Sequence, residues 1–115
     1  MGIILDTSVV IAAERVRPSV VQFLEEIHTK SGEIEVGLSV VTIAELTYGI
    51  FRGKNLDDRI RRAGFVGGLS DALLVYPLTL EIARNMGRIE AEMAAQGKQL
   101  PFEDLAIGVT ALSRF

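Results

Sequence analysis

Gly2-Ile3-Ile4-Leu5-Asp6-Thr7-Ser8 is a short apolar run that stops at an acid followed by two hydroxyls. Apolar residues without alternation suit a parallel strand covered on both faces, and in open parallel sheets ligands gather outside the carboxyl ends of the strands. The run predicts a buried strand that delivers the Asp6 carboxylate to its own end. The same residues carry a second reading. Asp, Thr and Ser all accept backbone N–H bonds at a helix start, so Asp6 is also a candidate N-cap.

The rest of the chain repeats this strand-then-helix order. Val9 to Ala13 predicts a short helix capped by Thr7 or Ser8. Pro18 opens a second helix as a first-turn residue, with Val20, Phe23, Leu24 and Ile27 on its core-facing stripe and Ser31-Gly32 at its end. Ile34 to Leu38 reads as a second strand. Ser39 then caps a third helix through Ile50 or Phe51, with Ile43, Leu46 and Ile50 on its apolar face. Gly53 closes it, and Asn55 caps a fourth, expected to turn Leu56, Ile60, Ala63 and Val66 to the core and to loosen at Gly67-Gly68. Leu73 to Leu78 is the third predicted strand, with Pro77 at its exit. Thr79 caps a fifth helix whose buried side is read as Leu80, Ile82, Ala83, Met86, Ile89, Met93 and Ala94, with Gly97 just past its end. Phe102 to Leu112 predicts a sixth, largely buried helix that opens on Glu103 and Asp104. Such alternation implies an α/β domain over residues 1–115, a parallel β-sheet flanked by helices on both faces.

The 115 residues, with 49% hydrophobic, are enough for one core without staples. There is no cysteine, which excludes disulfides, thiolate nucleophiles and Cys-based metal sites. No apolar run approaches the roughly 20 residues of a membrane span, and Met1-Gly2-Ile3 lacks the basic head of a secretory signal. The expectation is a cytoplasmic protein without a membrane partner. A net charge of −3 makes the whole molecule no trap for nucleic acid. The single histidine, His28, falls near a predicted helix end, where a cation suits the dipole. One segment is basic: Arg52, Lys54, Arg59, Arg61 and Arg62 outnumber Asp57 and Asp58. It reads as a solvated helix face or as a contact for RNA backbone phosphates.

Three acids share an unusual setting. Asp6 ends a buried strand, Glu45 interrupts an apolar helix, and Asp104 begins a buried helix. Glu45 has Val41 and Gly49 one turn away and no cation among them. A carboxylate in apolar surroundings is costly unless it meets a cation or metal, so Glu45 either points past the stripe to solvent or faces a site. Carboxylates brought together repel unless a hard divalent cation compensates. Oxygen ligands alone favour magnesium or manganese over zinc. Such a cation activates water and stabilises charge in phosphoryl transfer.

At these residues the sequence resembles the PIN-domain family, and within it the VapC-type toxins. The matching pieces are Ile3 to Val9, Leu38 to Gly49 and Leu100 to Leu112, in the family's order and almost from end to end. The resemblance implies a PIN-like three-layer fold and a Mg2+-dependent endoribonuclease, with Mn2+ as a substitute. It implies the toxin of a type II toxin–antitoxin system, a homodimer with a cognate antitoxin. The substrate it implies is RNA, with tRNA as one candidate. Asp6, Glu45 and Asp104 are the acids it carries over, to hold the metal and orient the attacking water. Thr7 and Ser8 would support Asp6 or a metal-bound water, with Glu103 an auxiliary acid. The family pattern continues into a further strand with a fourth acid, which has no counterpart after Leu112, so a C-terminally truncated domain is expected. The alternative is a catalytically impaired PIN-like module that binds an antitoxin or another protein without cleaving RNA, through apolar surfaces at Val9 to Ala13 and Tyr48 to Phe51. A haloacid-dehalogenase-type phosphatase would need a second Asp where Ser8 stands, and no phosphate-binding glycine loop with its lysine is present.

Overall fold

The computed structural model describes residues 2–16 and 19–115; the expected role of Pro18 falls outside them. Three short parallel strands, β1 (Gly2–Ile4), β2 (Glu35–Ser39) and β3 (Leu74–Tyr76), form one sheet in the order β1-β2-β3. Gly2 pairs with Glu35, and Ser39 with Tyr76. Around them lie α1 (Thr7–Val16), α2 (Val20–Ser31), α3 (Val40–Phe51), α4 (Leu56–Ala72), α5 (Leu80–Ala95) and α6 (Phe102–Arg114). The expected α/β class and parallel sheet are both present.

Side chains alternate across the sheet, as a strand requires. Val36 and Leu38 of β2 join a core with Leu5, which follows β1, and with Val10, Phe23, Leu46, Phe65 and Leu69, drawn from α1 to α4. Glu35 and Gly37 face the other way, where the Tyr76 ring lies back along β2 and its hydroxyl donates to Glu35. A Cβ on Gly37 would fall 2.5 Å from Tyr76 Cε2, so this close approach needs glycine. On this side α6 packs on β1 and β2, and a second core joins Ile82, Met86, Leu105, Ala106 and Val109 to Val41 of α3.

The expected caps form at three helices. Ser39 Oγ accepts from Val41 N–H, Asn55 Oδ1 from Asp58 N–H and Thr79 Oγ1 from Ile82 N–H. Two buried faces differ from expectation. In α4, Leu56, Ile60 and Ala63 are exposed, and the inward row is Arg62, Phe65, Val66 and Leu69. Phe65 stacks on Phe23 at 5.9 Å and Arg62 Nη1 donates to the Gly49 carbonyl at 2.7 Å. These two contacts set the helix rotation. The helix also runs through Gly67 and Gly68 rather than loosening there; a Cβ on Gly68 would strike Val20, so the glycine lets α2 and α4 close up. In α5, Leu80, Ala83 and Ala94 are exposed and only Ile82 and Met86 are fully buried, because its main neighbour is the single helix α6.

Candidate active site

Leu5 N–H donates to the Gly37 carbonyl and carries the β1 ladder one residue beyond the strand. Asp6 follows at the carboxyl end, exposed. Its Oδ1 accepts from Ser8 N–H at 3.2 Å, and its carbonyl accepts from Val9 and Val10 N–H. Asp6 therefore caps α1 itself, and Thr7, expected as a cap, is inside the helix and buried. A cap uses one carboxylate oxygen and leaves the other to the surface, so Asp6 caps α1 and still stands at the strand end; the strand itself is not buried as expected, since Ile3 is exposed and its neighbours are half-buried.

Freed from capping, the Thr7 hydroxyl turns away from Asp6 towards α3. Thr7 Oγ1 lies 2.7 Å from Glu45 Oε1 and 3.0 Å from Thr42 Oγ1. Thr42 is fully buried and Glu45 half-buried. Residues three apart share a helix face, so Thr42 and Glu45 both look towards the start of α1. A hydrogen bond to a charged group contributes about 1.5–3 kcal/mol, comparable with or above the rotamer entropy of a Glu side chain, roughly 1.5–2 kcal/mol. Glu45 is held in one orientation by a neutral hydroxyl rather than by a cation.

Asp104 is exposed in the first turn of α6, beside half-buried Glu103. Two contacts fix the direction of this helix. At its far end Phe115 lies against Gly2, the start of β1; nearer its beginning Leu105 and Ala106 belong to the cluster against which Val41, one turn before Glu45, packs. So α6 runs against the strand direction and brings Asp104 towards the carboxyl ends of the strands. Among the described residues, no group of three or more His, Asp or Glu side chains is gathered to hold a metal ion. The acids share an end of the fold without forming a closed cage. The donor chemistry still fits magnesium, which keeps several waters and takes only one or two carboxylates directly.

The basic segment divides in two. Arg61 pairs with Asp58 at 2.6 Å and with Glu14 of α1 at 3.4 Å, and Arg62 lies 3.4 Å from Asp58 and 3.9 Å from Glu14. The Arg61 hydrogen bond, followed by the Lys54 backbone N–H, holds Asp58 below the usual carboxylate range. These cations brace α4 against α1 and α3. Arg52, Lys54 and Arg59 have no ion-pair partner among the described residues and are exposed.

Two contributors were not singled out in the sequence. Thr42 carried one signal, a hydroxyl inside an apolar helix three residues before the acid. Tyr76 carried none. Its hydroxyl bonds Glu35, the Arg114 guanidinium sits 4.8 Å over its ring, and Phe115 meets it edge-on at 6.0 Å. The Glu35 hydrogen bond, and then burial, push its phenol upward. This cluster holds the far end of the helix that carries Asp104.

Comparison with known proteins agrees with this architecture. Residues 3–114 match the PIN domain family. Ribonuclease VapC5 of Mycobacterium tuberculosis is 32% identical over 111 residues, 96% of this chain and 76% of that protein. Ribonuclease VapC1 of Rickettsia felis is 27% identical over 113 residues, 98% of this chain and 79% of that protein. The structure of DNA-bound VapBC from Salmonella typhimurium superposes with a TM-score of 0.78 at 27% identity, over 99% of this chain and 81% of that one. With its parallel sheet and the Asp6 and Glu45 positions joined through Thr7, the chain belongs to the PIN domain family, as a VapC-type member.

Proposed function

We propose that the protein is a metal-dependent endoribonuclease, using Mg2+ or, in its place, Mn2+, and the toxin of a type II toxin–antitoxin pair. The observation that carries this reading is the Thr7–Glu45 hydrogen bond, which ties the strand end bearing Asp6 to the helix bearing Glu45. The ribonuclease names of the relatives and the VapBC assembly of the structural neighbour support it.

Asp6, Glu45 and Asp104 would hold the cation. When bound there, it lowers the pKa of a water and offsets charge on phosphodiester oxygens. Asp6 presents its free oxygen from backbone fixed on both sides, by β1 and by α1. Glu45, gripped through Oε1, has no described partner at Oε2. Arg52, Lys54 and Arg59 would meet RNA phosphates, which position a strand without reading its bases. An antitoxin and a second copy of the chain are the proposed protein partners, with exposed Val9, Tyr48 and Phe51 as apolar contact points.

The test is incubation of the purified chain with single-stranded RNA and with tRNA, in MgCl2 and in EDTA. Cleavage only with the metal, lost in Asp6→Asn, is expected; metal-independent cleavage that survives Asp6→Asn would overturn the reading. A second reading, a PIN-like module that binds an antitoxin without cutting, is favoured by the absence of a closed three-acid site among the described residues. Antitoxin binding with no cleavage in either metal would establish it.

A further inference from the structure

Thr42 is fully buried on α3, and a valine would fill the same space without burying a hydroxyl. Buried Thr110 satisfies its own hydroxyl locally, donating to the Ala106 carbonyl one turn back. Thr42 instead reaches another element, with its Oγ1 3.0 Å from that of Thr7. The direction of this bond follows from counting protons. Thr7 has one hydroxyl proton and two oxygen neighbours, and an ionised Glu45 carboxylate can only accept. The Thr7 proton therefore goes to Glu45 at 2.7 Å, and the Thr42 proton goes to Thr7.

We propose that Thr42 is a positioning residue for the divalent cation: its donated hydrogen bond commits the Thr7 proton to Glu45 Oε1 and so fixes the carboxylate that faces the site. The proposal rests on the metal-dependent ribonuclease reading above. Without the Thr42 hydroxyl, the Thr7 hydroxyl loses the donor that orients it, and Glu45 regains rotamer freedom with no change in the charges at the site. Thr42 touches neither cation nor RNA, so its effect falls on metal affinity rather than on RNA binding.

The experiment measures the MnCl2 concentration for half-maximal thermal stabilisation of the full chain without RNA, alongside the metal dependence of RNA cleavage. T42V is expected to raise both midpoints about tenfold, the low end of the cost of removing a ligand's supporting partner, with the KM for RNA unchanged. T42S, which keeps the hydroxyl, restores both. In an E45Q background T42V adds no further shift, because the two act through one contact. A T42V protein with wild-type midpoints, or a shift that adds in full to that of E45Q, would overturn the proposal. Should T42V be too unstable to purify, T42C supplies the comparison, since its thiol is a weak donor; midpoints equal to those of T42S would overturn it. If the wild type itself shows neither stabilisation nor cleavage, the ribonuclease reading falls first. Failure confined to Thr42 leaves that reading intact.

Discussion

Asp6 Oδ1 accepts the backbone N–H of Ser8 at 3.2 Å, so the carboxylate that ends β1 also starts α1. The strand-to-helix joint and the first acid of the proposed site are one residue. Stability and activity at this position can be separated by the choice of substitution.

Asp6→Asn keeps a side-chain oxygen for Ser8, and Asn caps helices about as well as Asp; Asp6→Ala removes it and costs about 1 kcal/mol. Urea denaturation should show Asp6→Asn close to the wild type and Asp6→Ala less stable, with RNA cleavage lost in both. A stable, active Asp6→Ala protein would leave Asp6 no role.

The basic residues should behave as two groups. Arg52→Ala, Lys54→Ala and Arg59→Ala should weaken binding of single-stranded RNA, each reducing the slope of log K against log salt by roughly 0.7. Arg61→Ala should leave that slope unchanged and lower the melting temperature, because Arg61 is bonded to Asp58 and Glu14. Filter binding across a salt series separates the two.

The larger core depends on Leu69, fully buried among residues of α1 to α4. Leu69→Ala should cost about 2–5 kcal/mol, measured by urea denaturation. The expected fourth-helix core residue Ile60 is exposed, so Ile60→Ala should fall within about 0.5 kcal/mol of the wild type.

Two groups make stability depend on pH, one at each end of the range. Asp58 is held below its ordinary value of 3.8 by Arg61; its contribution is present above that value and is lost as pH falls through the lower folded value. Tyr76 is pushed above 10.0 by Glu35 and burial. Its contribution is present below pH 10 and is lost as pH rises through the folded value. Melting temperature against pH should lose part of its acid slope in Asp58→Asn and part of its alkaline slope in Tyr76→Phe.

The sequence made local signals plain. Ser39, Asn55 and Thr79 cap the helices they precede, because a cap is decided by the residue and its next three neighbours. The rotation of α4 was not legible. Leu56, Ile60 and Ala63 form as good an apolar stripe as the true one, and the choice was made by Phe23 and Gly49, distant in sequence. At the site, residue types and chain order pointed to Asp6, Glu45 and Asp104. The partner of Glu45 was hidden because a hydroxyl carries no charge pattern to betray it, and Thr7 stands 38 residues away. The Tyr76 anchor was hidden for a similar reason, since its glutamate is 41 residues distant.

Asp6, Glu45 and Asp104 are proposed to act as one divalent-cation site although they come from a strand end, a helix middle and a helix start. Calorimetric Mn2+ titration of the wild type, Asp6→Asn, Glu45→Gln and Asp104→Asn tests it most directly. Saturable binding is expected in the wild type, weakened at least about tenfold in each variant, as loss of a ligand or of its support requires. Binding in Asp104→Asn indistinguishable from the wild type would contradict it.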